Sequence, residues 1–330
     1  MSLPLQQKSP RGEDGSPAAY LNLQQQAAWS EVPWEELWEL GGGGRVNFLN
    51  SYLTQDIQNL PPRGVALGAF LTQKGKLVSA AWVLNLPDKF LLLFSAGYGA
   101  KVQTHLATFL QFADATLREV NAEWAHFVVL GPKSREALAD LLHAPILEDP
   151  GQIQISNDEG DTLLFSSLRF GVPGWDLLVP AENAAAWRNH LKALPLVDPE
   201  ALETCRIEAG IPKMGVDMGE DNLVAEVGLD RTATSFNKGC YLGQETTARV
   251  ESRGHVNRKL VQVRLGRPQR GTLPVSIRQG DKQVGMLSSA CQSPKFGTTV
   301  GLAMIQLQAW ENPEPILAEA EGEKIELQKL

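Results

Sequence analysis

The chain has 330 residues, 43% hydrophobic and 21% charged, with a formal net charge of −8; this is a globular composition at a length that predicts two or three domains. The acidic balance excludes broad nucleic-acid binding, which depends on phosphate neutralisation, and no apolar run approaches the roughly 20 residues of a membrane helix. Three cysteines (Cys205, Cys240, Cys291) without CxxC spacing and five scattered histidines without HExxH or HxH order exclude a disulfide framework and a zinc signature, so no protein-bound metal is expected and a reducing cytoplasm is the expected compartment.

Residues 1–26 are polar, lack a signal-type apolar stretch and carry Glu13 and Asp14 early, so they read as a disordered or loosely docked tail. "WSEVPWEELWELGGGGRVNFLNSYLTQDI" predicts a short strand, a glycine turn and a helix from near Arg45; Gly41–Gly44 lacks the order of a phosphate loop. The stretch from Gly64 to Ala96 alternates apolar runs with turn signals at Lys74-Gly75 and Pro87-Asp88, the pattern of antiparallel hairpins. Val102, Leu106, Phe109, Leu110, Ala113 and Leu117 share a helical face. "AHFVVLG" predicts a strand and "KSREALADLLHA" a second amphipathic helix; "TLLFSSLRFGVPGWDLLVP" predicts two strands around a turn, followed by a helix through "AENAAAWRNHLKAL". Beyond Leu260, short valine-, leucine- and isoleucine-rich runs punctuated by Gly and Pro predict a small β-barrel or sandwich. The upstream mixture of strand pairs and single helices reads as α+β, not a doubly wound parallel sheet.

Four pieces carry chemical content. In "CRIEAGIPKMGVDM", strand alternation would put Arg206 and Glu208 on one face; Glu208 could then grip a planar amidine-like edge such as that of a pterin, or form a surface pair with Arg206. Glu226 lies among apolar residues in "LVAEVGL", where a solvent-facing role competes with a site role. In "SFNKGCYLGQETTAR", Lys238 and a helix starting near Gln244 could activate the Cys240 thiol, whereas a free cysteine can equally serve as a small buried residue. Finally, between Arg249 and Arg270 six arginines and one lysine face a single acid, Glu251. Such runs are usually solvated, but here they would form a positive patch suited to a carboxylate-rich or phosphate-bearing ligand.

"RIEAGIP", "AEVGL", "SFNKGCYLGQETTAR", "RG" and "NRKL", in that order, resemble the YgfZ-type folate-binding proteins, relatives of the glycine-cleavage T-protein (aminomethyltransferase) linked to iron–sulfur protein assembly and repair. KGCYxGQE contains a cysteine that the T-proteins lack. "FLNSYLTQDI", "TQKGKLVSAAWV", "RFGVPGWDLLVP" and "GDKQVGMLSSACQSP" extend the similarity over Trp29 to Gln306. With the polar tail over 1–26 left outside it, the resemblance implies a folate-binding α+β region of two intertwined subdomains over 27–255 and a C-terminal β-barrel over 256–330. It implies tetrahydrofolate as cofactor and iron–sulfur client or assembly proteins as partners, without nucleic acid or membrane. By the same resemblance Glu208 would hold the pterin, Glu226 and Tyr241 would line the pocket, Arg249 or Arg258 would meet the folate glutamate, and Cys240 with Lys238 would be the chemically active pair. Where the transferases carry an Asp pair, one of which assists the folate nitrogen, this chain has Ser79 and Ala80. A folate-dependent aminomethyltransferase is therefore the alternative, because a general acid or base must reach the atom it serves. Three dispersed cysteines also cannot supply four thiolates to a cluster within one chain.

Overall fold

The computed structural model describes residues 17–147, 151–156, 161–166, 168–268, 271–320 and 322–330. It opens with helix α1 (Pro17–Gln25), inside the segment expected to be a tail. Ala19, Tyr20 and Leu23 are buried there and pack with Val128, Leu202 and Cys205; one apolar stripe at i, i+1 and i+4 suffices to dock a helix whose overall composition is polar. Residues 1–16 lie outside the described residues.

Strands β1 (Ala28–Glu31) and β2 (Glu35–Gly41) replace the single short strand expected, and helix α2 (Arg45–Tyr52) starts where the sequence placed it. The glycine run is a turn: Gly42 has φ +102°, and a Cβ there would lie 2.4 Å from the Asp114 carbonyl oxygen. The hairpins follow as β3 (Val65–Leu71), β4 (Leu77–Asn85) and β5 (Phe90–Ser95), then α3 (Tyr98–Leu110) and β6 (Thr116–Glu119). Leu117, assigned to the helical face, lies on β6, because α3 ends at Leu110 and the chain turns before Thr116.

After β7 (Trp124–Leu130) come α4 (Ser134–Leu142), β8 (Ile153–Ser156), β9 (Thr162–Ser166), β10 (Gly174–Pro180) and α5 (Ala184–Leu191). The two antiparallel sheets have orders β3-β4-β5-β2-β6 and β1-β7-β10-β9-β8. The chain leaves the second sheet after β1, builds the whole first sheet, and returns at β7 beside β1. This insertion interlocks the two lobes. Helices α2 and α3 cover the outer face of the first sheet, and α4 and α5 that of the second. The inner faces meet through Leu84, Leu91, Leu93, Phe165 and Leu178.

Helix α6 (Pro199–Glu208) contains Arg206 and Glu208, which the two-residue spacing had suggested for a strand. The decisive signals lie upstream. Asp198 caps the helix by accepting from the Ala201 N–H at 2.7 Å, Pro199 occupies the first turn, and Ala201, Leu202 and Cys205 are buried at helical spacing. A three-residue 3-10 turn (Val224–Glu226), α7 (Leu229–Thr232) and α8 (Gln244–Arg253) lead into the barrel. The barrel comprises β11 (Arg258–Leu265), β12 (Val275–Gln279), β13 (Lys282–Ser293), β14 (Thr298–Gln306), α9 (Leu307–Glu311), β15 (Ile316–Ala320) and β16 (Glu323–Lys329). It closes in the order β11-β14-β13-β12-β15-β16. Three serines of β13 join it to the upstream part: Ser288 and Ser289 each donate to Asp217 at 2.6 Å, and Ser293 donates to Glu208. The α+β fold with a C-terminal barrel is thus the one expected.

Candidate functional site

The loop Ser235–Gly243 is fixed mainly through α2 and the residues after it. Ser235 N–H donates to the Thr54 carbonyl at 3.0 Å, and Leu242 N–H to the Ser51 carbonyl at 3.0 Å. The Lys238 ammonium donates to three carbonyls at the end of α2, those of Asn50 (2.6 Å), Leu53 (2.8 Å) and Gln55 (2.7 Å). A cation is favoured at this end of a helix, where carbonyls lack intrahelical donors. Burial pulls Lys238 down to about 8, with Asp56 opposing the shift. All three ammonium donors are directed at carbonyls, which leaves none for the Cys240 thiol. The Cys240 side chain is exposed.

Tyr241 lies under the Lys238 ammonium, 5.2 Å from ring centroid to Nζ, and its N–H donates to Gln244 Oε1 at 2.8 Å. Burial raises the Tyr241 pKa. Gly243 has φ +84°, and a Cβ there would come within 2.5 Å of the Thr72 carbonyl oxygen, so the loop and the β3–β4 hairpin touch backbone to backbone.

Tyr241 also belongs to a junction of three bodies. Leu67 and Ala80 from the first sheet, Tyr241 from the loop, and Leu260 and Met304 from the barrel are partly buried and pack against a core of Ala69, Leu71, Met214, Met218, Val224 and Val227. Glu226 stands beside this junction, 6% exposed. Arg258 meets it two-pronged, Nε to Oε1 and Nη2 to Oε2, both at 3.2 Å, and Leu223 N–H donates to Oε2 at 3.0 Å. Arg258 and Lys76 both donate to the Asp221 carbonyl, at 2.6 and 2.7 Å. Ser79 is fully buried and donates to the Ala80 carbonyl at 2.9 Å, so this part of the junction carries no carboxylate.

Glu208 lies apart from this arrangement, at the seam of α1, α6 and β13. It is 4% exposed and accepts from Tyr20 OH at 2.8 Å, Lys295 N–H at 3.2 Å and Ser293. Burial and then the bond to Glu208 raise the Tyr20 pKa. Leu260 bridges the two places, since it packs both at the junction and against Ile207. The surface pair between Arg206 and Glu208 is absent. Arg206 is buried and directed to Asp217 (2.7 Å), Ser289 (3.0 Å) and Glu203, because on a helix residues two apart do not face each other.

The cation run divides. Arg258 is paired with Glu226 and Arg267 with Glu323, whereas Arg249, exposed on α8, has no ion pair among the described residues; Arg270 lies outside them. Also among the described residues, no cluster of three His, Cys, Asp or Glu could hold a metal, and no helix is long and apolar enough to cross a membrane. Sequence reasoning missed Thr54, which donates to the Ala233 carbonyl and accepts from Ala69 N–H at 2.8 Å. It also missed Asp217, which gathers Arg206 and two serines. A buried threonine or aspartate inside a loop leaves no periodic signal.

Residues 13–238 match the GCVT N-terminal domain, and residues 258–329 match the glycine cleavage T-protein C-terminal barrel domain. The aminomethyltransferase of Thermotoga neapolitana is 26% identical over 274 residues, covering 80% of this chain and 74% of that one. A Bacillus cereus aminomethyltransferase is 26% identical over 287 residues, covering 82% and 76%. A putative chloroplastic transferase of Arabidopsis thaliana is 24% identical over 289 residues, with 82% of this chain matching 63% of the longer plant protein. The crystal structure of the glycine cleavage system aminomethyltransferase T from Bartonella henselae superposes with a TM-score of 0.83 at 19% identity, covering 94% of this chain and 86% of that one. With both domain models matched in order along the same two bodies seen in the structure, this chain belongs to the glycine cleavage T-protein family.

Proposed function

We propose that this protein binds tetrahydrofolate at the junction of the first sheet, the Lys238–Glu245 loop and the barrel, and supports the assembly or repair of iron–sulfur proteins without acting as an aminomethyltransferase. The carrying observation is the junction itself, where the partly buried Leu67, Ala80, Tyr241, Leu260 and Met304 pack beside the Glu226–Arg258 pair and Lys76. Partly buried apolar surface beside charged side chains suits a flat heteroaromatic ring system with an anionic tail. Tyr241 and Glu226 would line the pocket. Arg249 is the better assignment for the glutamate carboxylates, since Arg258 is already committed to Glu226. A role for Glu208 at the pterin edge requires the ligand to displace Tyr20 or Ser293 from its carboxylate.

Folate would supply a one-carbon carrier, but Ser79 and Ala80 offer no carboxylate to move a proton at it, and Glu226 is held by Arg258. The iron–sulfur assignment rests on the resemblance of KGCYxGQE and on the exposed Cys240, which would face the client or assembly protein. Three free cysteines suit a reducing compartment such as the cytoplasm. The alternative, aminomethyl transfer, is what three of the four similar proteins above are named for.

The reading is tested by titrating tetrahydrofolate into the wild type and Tyr241→Ala, and by asking whether Cys240→Ala restores iron–sulfur enzyme activities in cells lacking the protein. Binding weakened by Tyr241→Ala, together with failed rescue, supports it. Absence of folate binding with full rescue by Cys240→Ala refutes it. Formation of methylene-tetrahydrofolate from an aminomethylated lipoyl carrier would favour the transferase.

A further inference from the structure

Between α2 and the end of α3, on the outer side of the first sheet, the surface opens into a groove of about 420 Å³. Phe48 and Tyr52 of α2 and Phe109 of α3 form a row in its lining, with successive ring centroids 4.8 Å apart. Phe112, in the turn after α3, also lines the groove and is 87% exposed. Four aromatic side chains ending in an exposed phenylalanine form a contiguous apolar patch, which on a protein surface marks a place of contact. Asp114 completes the lining. Its carboxylate has no hydrogen bond and no ion pair among the described residues. Arg45, at the start of α2, donates instead to the carbonyls of Gly42 (3.1 Å) and Pro87 (2.8 Å).

The glycines at 42–44 hold this acid in place. Gly44 N–H donates to the Asp114 carbonyl at 2.8 Å. A Cβ on Gly42 would lie 2.4 Å from that carbonyl oxygen and one on Gly44 3.0 Å from it, so the two segments touch main chain to main chain. At Gly43 the neighbour is the side chain, since a Cβ there would fall 2.5 Å from Asp114 Oδ2. A carboxylate swings aside more easily than a backbone moves, so Gly43 secures the position of the charge and not the fold of the turn. A negative charge held beside aromatic rings, with no cation of this chain upon it, is the complement of a long basic side chain. The stem of such a side chain lies on the rings and its head meets the carboxylate.

We propose that this groove docks the protein partner that meets Cys240, by taking an arginine or lysine of that partner along the aromatic row to Asp114. The groove and the Cys240 loop share the last turn of α2: Ser51 lines the groove, and its carbonyl accepts from Leu242 N–H at 3.0 Å. Phe236, in the same loop, is 43% exposed and adds apolar surface there. A small free cation gains nothing from this continuity, whereas a chain held in the groove is also brought towards the thiol. That the partner is an iron–sulfur client or assembly protein rests on the function proposed above.

The test is Phe112→p-benzoylphenylalanine in the full-length chain, irradiated in living cells, with the crosslinked segments identified by mass spectrometry. One other protein is expected, joined at a segment that carries an arginine or lysine. Adding Asp114→Asn should lower the yield about tenfold or more, the loss of one hydrogen bond between charged groups. Gly43→Ala, which displaces the carboxylate, should lower it as well. Thermal unfolding and tetrahydrofolate binding should be the same in both variants as in the wild type, because neither change touches the core or the junction. No crosslink, a crosslink only to a second copy of this chain, or a yield indifferent to Asp114→Asn overturns the proposal. An Asp114-dependent crosslink to a protein outside iron–sulfur assembly upholds the groove and counts against the iron–sulfur reading, so the two failures are told apart.

Discussion

Replacing Lys238 by methionine keeps the side-chain stem and removes the ammonium, which separates the two roles this lysine could have. Its three bonds to the carbonyls of Asn50, Leu53 and Gln55, at 2.6–2.8 Å, come from a charged donor, for which about 1.5 kcal/mol each is the low end of the net range. Burial of the ammonium works against that sum, and three carbonyls left without their donor add to the loss, so a net destabilisation of about 2–4 kcal/mol is expected. The assay is urea unfolding, in which the midpoint falls with little change in slope, run beside alkylation of Cys240 in the native state. Under the capping role, alkylation is not slowed, because the ammonium points at α2. Unchanged stability combined with a collapse in alkylation rate would refute the argument and make Lys238 an electrostatic activator of the thiol.

Glu208→Ala strands three donors at the α1–α6–β13 seam and is expected to cost about 3 kcal/mol or more, whereas Glu208→Gln, which keeps an acceptor for Ser293 and Lys295, should cost clearly less; thermal unfolding distinguishes them. Gly243→Ala forces a Cβ to within 2.5 Å of the Thr72 carbonyl oxygen at φ +84° and should destabilise by about 2 kcal/mol or more, read as a lower denaturation midpoint. At Asp176 burial alone would raise the pKa, but Arg169 and His126 outweigh it and hold the carboxyl at about 2, against 3.8 for the free group. Its folded value is depressed, so its contribution of about 2 kcal/mol is present above pH 3.8 and lost as the pH falls through 2. Asp176→Asn should remove that part of the acid sensitivity in unfolding measured across this window.

Elements with a repeating pattern were readable from the chain. The hairpins of β3–β5, the helices α3, α4 and α5, and the barrel strands follow from alternation, helical spacing and turn residues. Two errors came from reading spacing without its flanks. Arg206 and Glu208 fit a strand until Asp198-Pro199-Glu200 is recognised as a helix start, and α1 was hidden because only Ala19, Tyr20 and Leu23 in it are buried. The polar partnerships were beyond reach for a different reason. Tyr20 with Glu208, Arg206 with Asp217 and Glu35 with Arg169 are between 11 and 188 residues apart, and no local rule links such positions. The fold also separates residues expected in one site: Glu208 lies at the barrel seam, while Glu226 and Tyr241 border the junction.

The division of labour within Lys238–Glu245 bears most directly on Cys240. Lys238 holds the end of α2, Tyr241 packs at the junction, Gly243 permits backbone contact with the β3–β4 hairpin, and Gln244 accepts from the Tyr241 N–H. Leu242 makes its bond through its main-chain N–H to Ser51, which almost any residue could supply. Gly239, Cys240 and Glu245 are exposed, and a Cβ on Gly239 would meet nothing within 4 Å. The contacts that hold the loop therefore run through Lys238, Tyr241, Leu242, Gly243 and Gln244, and Cys240 stands with Gly239 and Glu245 at its exposed surface. Its exposure makes the native-state reactivity of Cys240 toward a candidate client the measurement on which its proposed role turns.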